Sequence, residues 1–189
     1  VTPYLQQFSN NDREVIVGLL KKADLLKEEL EEFVRSGNTC NFESLQLARL
    51  RGSNTLLHDT SEAEYWNLAL QAIWTWIQED RFSKLKAFFE INRTLLKIPQ
   101  GQSPIRKIAL SSTGKAFPAP EKMEILLNAF ESEMDSILEN EHPVIQAAWI
   151  YQRLVAIHPF QNGNGRTGRL AADWMLARSG FPPLVFLSP

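Results

Sequence analysis

The sequence predicts an all-α domain carrying one small β-hairpin. Two observations carry the prediction. Apolar residues recur at helical spacing through most of the chain, in segments bounded by cap residues and glycines. The only long stretch rich in proline and glycine lies between Pro99 and Pro120. At 189 residues the chain is long enough for one domain with a substantial core and a small helical appendage.

The elements follow in order. From Asn11 to Val34, apolar residues at Val15, Val17, Leu19, Leu20, Leu26, Leu30 and Phe33 predict a helix, with Ser36-Gly37 as its stop. Ser44 to Leu50 reads as a short helix ending at Gly52. Ser61 and Glu64 form a capping-box pattern ahead of Tyr65, Leu68, Ala69, Ala72, Ile73 and Trp76. Ser83 opens a further helix through Leu96. Ile105 to Leu110 then reads as a strand, which Ser112, Thr113 and Gly114 turn into a hairpin. Helical pattern resumes from Glu121 to Leu138, and again from Pro143, an apt first helical residue, to Ile157. A last helix leaves a glycine turn and stops at Gly180. We divide the chain into an N-terminal helical segment, 1–59, and a core domain, 60–189.

Composition bounds the function. Apolar residues make up 44% and charged residues 22%, ordinary values for a globular protein. A net charge of −2 gives no basic field to suggest nucleic acid or membrane as partner. Cys40 is alone, which excludes an internal disulfide and a cysteine-based zinc site. His58 and His142 have no neighbours at metal-ligand spacing. The five tryptophans (Trp66, Trp74, Trp76, Trp149 and Trp174) sit on helical patterns and read as core. With no signal peptide and no apolar run of spanning length, a cytoplasmic working place is the expectation, or delivery into a host cell if an effector segment precedes this one.

One run carries chemistry: His158-Pro159-Phe160-Gln161-Asn162-Gly163-Asn164-Gly165-Arg166-Thr167-Gly168-Arg169. It sets a histidine, a glycine-rich turn and two arginines directly before a helix. Gly163 and Gly165 admit backbone torsions closed to other residues and let a bound group approach the main chain. The N–H groups of such a turn, Gly163 to Gly165, can converge on an anion at the positive end of the next helix. Arg166 and Arg169 share a face of its first turn and oppose the helix dipole, an unfavourable placement unless an anion lies between them. Arg178, near the other end, suits the dipole and reads as structural. His158 accepts a proton near neutral pH and is the candidate general base. Phe160 reads as an apolar anchor for the loop.

These residues resemble the signature of the Fic family, HxFx(D/E)GNGRxxR, at every position but one: Asn162 stands where the family has an acidic residue. The resemblance extends over roughly residues 60–185 and implies a Fic-type helical domain with its flap around residues 102–118. It implies transfer of AMP from ATP, with Mg²⁺, to a Ser, Thr or Tyr hydroxyl of a target protein. His158 would then be the base and Arg166 a second catalytic residue. Gly163, Asn164, Gly165, Arg166 and Arg169 would hold the phosphates, Arg169 at the γ-phosphate. Ile105, Arg106, Lys107 and Ile108 would hold the target by strand pairing. The family's carboxylate holds Mg²⁺, so Asn162 offers a neutral and poorer ligand. Many relatives also carry an inhibitory (S/T)xxxE(G/N) helix. Aligned on Asn54-Thr55-Leu56, its glutamate position falls on Gly52 and its Ser/Thr position on Ala48. That predicts a chain not restrained by this segment, or restrained by a separate antitoxin-like protein. Asn162 keeps two alternatives open. One is a Fic variant transferring another phosphorylated group or phosphate; the other is a nucleotide-binding module without turnover.

Overall fold

The computed structural model describes residue 2 and residues 4–38, 68–76, 84–112 and 114–182. After a 3-10 turn at Leu5–Gln7, helix α1 runs Asn10–Arg35. Ser9 caps it: its hydroxyl accepts from Asp12 N–H at 3.2 Å and donates to the Asp12 carboxylate at 2.6 Å. Residues 68–76 are helical (α2), and α3 spans Lys84–Leu96. A two-residue ladder, β1 Ser111–Ser112 with β2 Lys115–Ala116, pairs antiparallel as Ser111↔Ala116 and Ser112↔Lys115. The last three helices are α4 Met123–Asn140, α5 Pro143–Ile157 and α6 Asn164–Arg178. His142 caps α5 by accepting Val144 N–H at Nδ1, and Pro143 occupies the first turn, where its missing N–H loses nothing.

The core lies where α3, α4, α5 and α6 meet. Phe88, Phe130, Met134, Ile150, Leu154, Leu170 and Trp174 are buried there, with Phe88 edge-on to Trp174 at 5.7 Å and Phe130 stacked on Trp149 at 5.2 Å. Each such side chain stabilises the fold by about 1.5–3 kcal/mol through the water it no longer meets. α5 and α6 make the most extensive pairing, and Gly168 is why they approach so closely. A Cβ there would lie 3.0 Å from the Tyr151 ring. α1 holds no buried residue; a half-buried apolar face that includes Ala23 meets the body, and polar contacts add to it. Asp24 Oδ1 accepts from His142 Nε2 at 3.0 Å, and Lys27 sits 5.0 Å over Phe181.

The all-α expectation holds, and four expected helices appear within two residues of their expected ends. Two local readings are corrected. Ile105 to Leu110 is not a strand: only Ile105 forms a bridge, with Phe160, and the hairpin starts at Ser111. Arg106 explains this. It turns inward, is buried, and donates to the carbonyls of His158 (2.7 Å), Ile108 (2.8 Å) and Pro118. Those bonds curl the segment around the guanidinium. Trp149 and Trp174 are core as expected, but Trp74 is 46% exposed. The short helix expected at 44–50, the boundary at 59/60, His58, Trp66 and Gly52 lie outside the described residues.

Candidate active site

The loop from α5 to α6 brings His158, Asn162, Gly163, Asn164, Gly165, Arg166 and Arg169 to one cleft of about 550 Å³, with Gln161 at its edge. His158 ends α5 in the left-handed conformation, φ 53° and ψ 55°, uncommon for a residue with a Cβ. Its own N–H still bonds Leu154 O, so the chain turns sharply without losing the last helical bond. Nδ1 lies 3.1 Å from Val155 O and must carry the proton, because a carbonyl only accepts. Nε2 is thereby left with the lone pair. Phe117 stacks on the ring at 3.6 Å between centroids, 17° from parallel. Burial pushes the His158 pKa below its ordinary value; the bond to Val155 opposes this, and nearby Arg106 adds to it. The result is a histidine neutral at physiological pH, in the tautomer a base requires.

Beyond it the loop is stapled from within. Asn164 is buried, accepting from Phe160 N–H at 2.9 Å and donating to Phe160 O at 2.8 Å. Its side chain is therefore occupied in closing the turn, which leaves phosphate contact to its backbone. Phe160 anchors the loop as expected, fully buried and edge-on to Phe89 at 5.9 Å. Gly163 takes φ 75° as the N-cap of α6, and a Cβ there would meet Asn92 Nδ2 at 3.1 Å. Gly165 departs from its expected role. It lies within the first turn of α6 and is not among the positive-φ residues, so its value is the open space beside Arg169.

No side chain caps α6 among the described residues, so its first-turn N–H groups face the cleft as a positive pole. Arg166 is buried and Arg169 half-buried on the same wall. Burial lowers the Arg169 pKa, a hydrogen bond and charge from Tyr151 raise it, and Arg166 lowers it again. Two neighbouring guanidinium groups at a helix N-terminus make a site for an anion with several oxygens.

Asn162 holds its Oδ1 on Gly163 N–H at 2.7 Å, and its carbonyl accepts from Asn92. Among the described residues, none that lines the cleft carries a carboxylate, and no three His, Cys, Asp or Glu form a cluster. A hard dication wants charged oxygens. One neutral amide oxygen already accepting a hydrogen bond does not fit a protein-held Mg²⁺.

Three residues of the site were not singled out in the sequence. Asn92, fully buried on α3, ties Asn162 O to Thr167 Oγ1 at 3.0 Å each. Its signal was a polar residue on an apolar stripe, between Phe88 and Leu95. Tyr151 left no such trace, and neither did Phe117, which faces His158 only through the folded segment. Of the expected flap residues, Ile105, Arg106, Lys107 and Ile108 line a second hollow of about 470 Å³ that shares Gln161 and Asn162 with the cleft.

The family model for the Fic/DOC family matches residues 82–176, half of the chain and the whole of this loop. The chain belongs to the Fic/DOC family. This Fic domain is 30% identical over 153 residues to a uridine 5'-monophosphate transferase of Xanthomonas campestris pv. campestris, covering 70% of this chain and 28% of that protein. It is 38% identical over 114 residues to the protein adenylyltransferase Fic of Aedes aegypti, covering 59% of this chain and 23% of that protein. The chain thus spans about a quarter of the length of these curated relatives. Among solved structures, a Fic-domain signalling protein of Bacteroides thetaiotaomicron aligns with a TM-score of 0.55 at 27% identity, over 66% of this chain and 50% of that one. Fic-1 of C. elegans shares the fold at a TM-score of 0.66 and 20% identity, over 97% of this chain and 62% of that one.

Proposed function

We infer that this domain transfers a nucleoside monophosphate, AMP from ATP, to a hydroxyl side chain of another protein. The observation that carries the reading is the pairing of a neutral His158, Nε2 unprotonated, with Arg166 and Arg169 at the open N-terminus of α6. The target hydroxyl oxygen attacks the α-phosphorus. Its proton passes to His158 Nε2, and the bond from the α-phosphorus to the bridging oxygen breaks as pyrophosphate leaves. Arg166, Arg169 and the first-turn amides balance the charge on the phosphate oxygens, the main task of a catalyst for such transfer. The target docks on the segment 102–118, whose exposed Lys107 and Ile108 line the hollow next to the cleft while Arg106 holds the segment to His158 O. A separate antitoxin-like protein is the regulator we expect.

The Xanthomonas relative named for uridine 5'-monophosphate transfer supports a second reading, in which the donor is a uridine nucleotide. Asn162 in place of the acidic residue supports it too, since a changed charge alters how a triphosphate sits. Incubation of the chain in a lysate with α-labelled ATP, or with α-labelled UTP, separates these. Protein-bound label from ATP supports AMP transfer, and preferential label from UTP replaces it with the second reading. Nucleotide binding without label from either identifies a module lacking turnover.

A further inference from the structure

α1 has two apolar faces, and the body of the protein uses one. Ile16, Val17, Leu20, Ala23 and Leu30 are half-buried on the inner face, with Ala23 packed against the core. A second stripe, Val15, Leu19, Leu26 and Phe33, faces solvent, each residue between 46% and 61% exposed. At about 100° per residue these four fall within a wedge of about 40°. Six of the described large hydrophobics that stand exposed are on this one helix. Such a concentration marks an interface rather than scattered surface residues.

The stripe belongs to a regular seam. Val15, Leu19, Lys22, Leu26, Glu29 and Phe33 follow one another in steps of four and three residues alternately, the spacing of a two-helix seam. Lys22 and Glu29, both exposed, fill the two polar positions with opposite charges. Those charges choose both orientation and occupant. A parallel pair of α1 helices would set Lys22 against Lys22 and Glu29 against Glu29. An antiparallel pair sets Val15 against Phe33, Leu19 against Glu29 and Lys22 against Leu26. Lys22 of each copy then lies one layer from Glu29 of the other, within reach of its long side chain. The same register brings Leu25, 59% exposed beside the seam, against its own twin at the twofold axis.

We propose that α1 pairs antiparallel with α1 of a second copy of this chain, through Val15, Leu19, Leu26 and Phe33, with Lys22 and Glu29 fixing the direction. The contact is isologous and closes on itself, so the assembly stops at a dimer.

Sedimentation equilibrium over micromolar concentrations tests this on the whole chain. The unaltered protein should sediment as a dimer. Leu26→Glu should raise the dissociation constant at least ~100-fold, because two buried leucines are lost per dimer, with the thermal midpoint of the monomer unchanged. Lys22→Glu should weaken the dimer, most clearly at low salt. The double exchange Lys22→Glu with Glu29→Lys should restore it, since opposite charges again face each other only in the antiparallel pair. A monomer at every concentration would overturn the proposal. So would a Leu26→Glu monomer with a lowered thermal midpoint, which would mean that the chain itself covers the seam. Failure of the double exchange to restore the dimer would reject the antiparallel register.

Discussion

His158 combines a left-handed backbone, a proton fixed on Nδ1 by Val155 O and a ring covered by Phe117. Because burial lowers its pKa, the neutral base persists to lower pH than for an ordinary imidazole. The acidic limb of kcat/KM should therefore have its midpoint below about 6.5. Phe117→Ala uncovers the ring and should move that midpoint upward, a shift that pH–rate profiles of the two proteins would reveal. Asn162→Asp keeps the bond to Gly163 N–H and adds the missing charge, so its transfer rate should climb more steeply with added Mg²⁺ than that of the unaltered chain. An Mg²⁺ titration with the same slope for both would refute this. Gly163→Ala meets both a positive φ and Asn92 Nδ2, and should lower stability by about 1–2 kcal/mol in denaturant melts. At this scale the sequence showed which residues meet in the cleft. It did not show the His158 tautomer, set by a carbonyl every residue carries, nor the internal use of the Asn164 side chain.

Helices were legible because their signals are local. The Ser36-Gly37 stop after α1, Pro143 in the first turn of α5 and the apolar spacing along these helices need nothing from the rest of the chain. The stretch before the hairpin was misread because its conformation is set at long range. Ile105 to Leu110 has strand composition, yet Arg106 binds carbonyls of residues 108, 118 and 158, and its N–H bonds Pro159 O at 2.9 Å. Arg106 thus joins the flap to the residue that we infer to be the base. Arg106→Met keeps the bulk but leaves those carbonyls unpaired. It should cost about 2–4 kcal/mol, read from urea unfolding.

Across the whole molecule, the cleft exists because α5 and α6 approach closely while α3 ties the loop between them from below. Gly168 lets Tyr151 reach Arg169, and Asn92 links the loop carbonyl to Thr167. No helix among the described residues is long and apolar enough to cross a membrane. Gly168→Val should push the two helices apart, lowering stability by about 1–3 kcal/mol in thermal melts. It should also weaken nucleotide binding through the displaced Arg169. The fold class was readable from periodicity, and the motif named the residues that the fold gathers into one cleft. The supports at Asn92 and Tyr151 were not, because their partners are distant in sequence and no spacing rule joins them.

In the proposed reaction His158 promotes attack on the α-phosphorus of a bound nucleotide. Transfer from ATP labelled at either the α- or the γ-phosphate, with the unaltered chain beside His158→Ala, tests it most directly. Protein-bound label should come from the α-position alone and fall roughly 10²–10⁴-fold in the variant. Label from the γ-position, or α-label that survives the loss of His158, would contradict it.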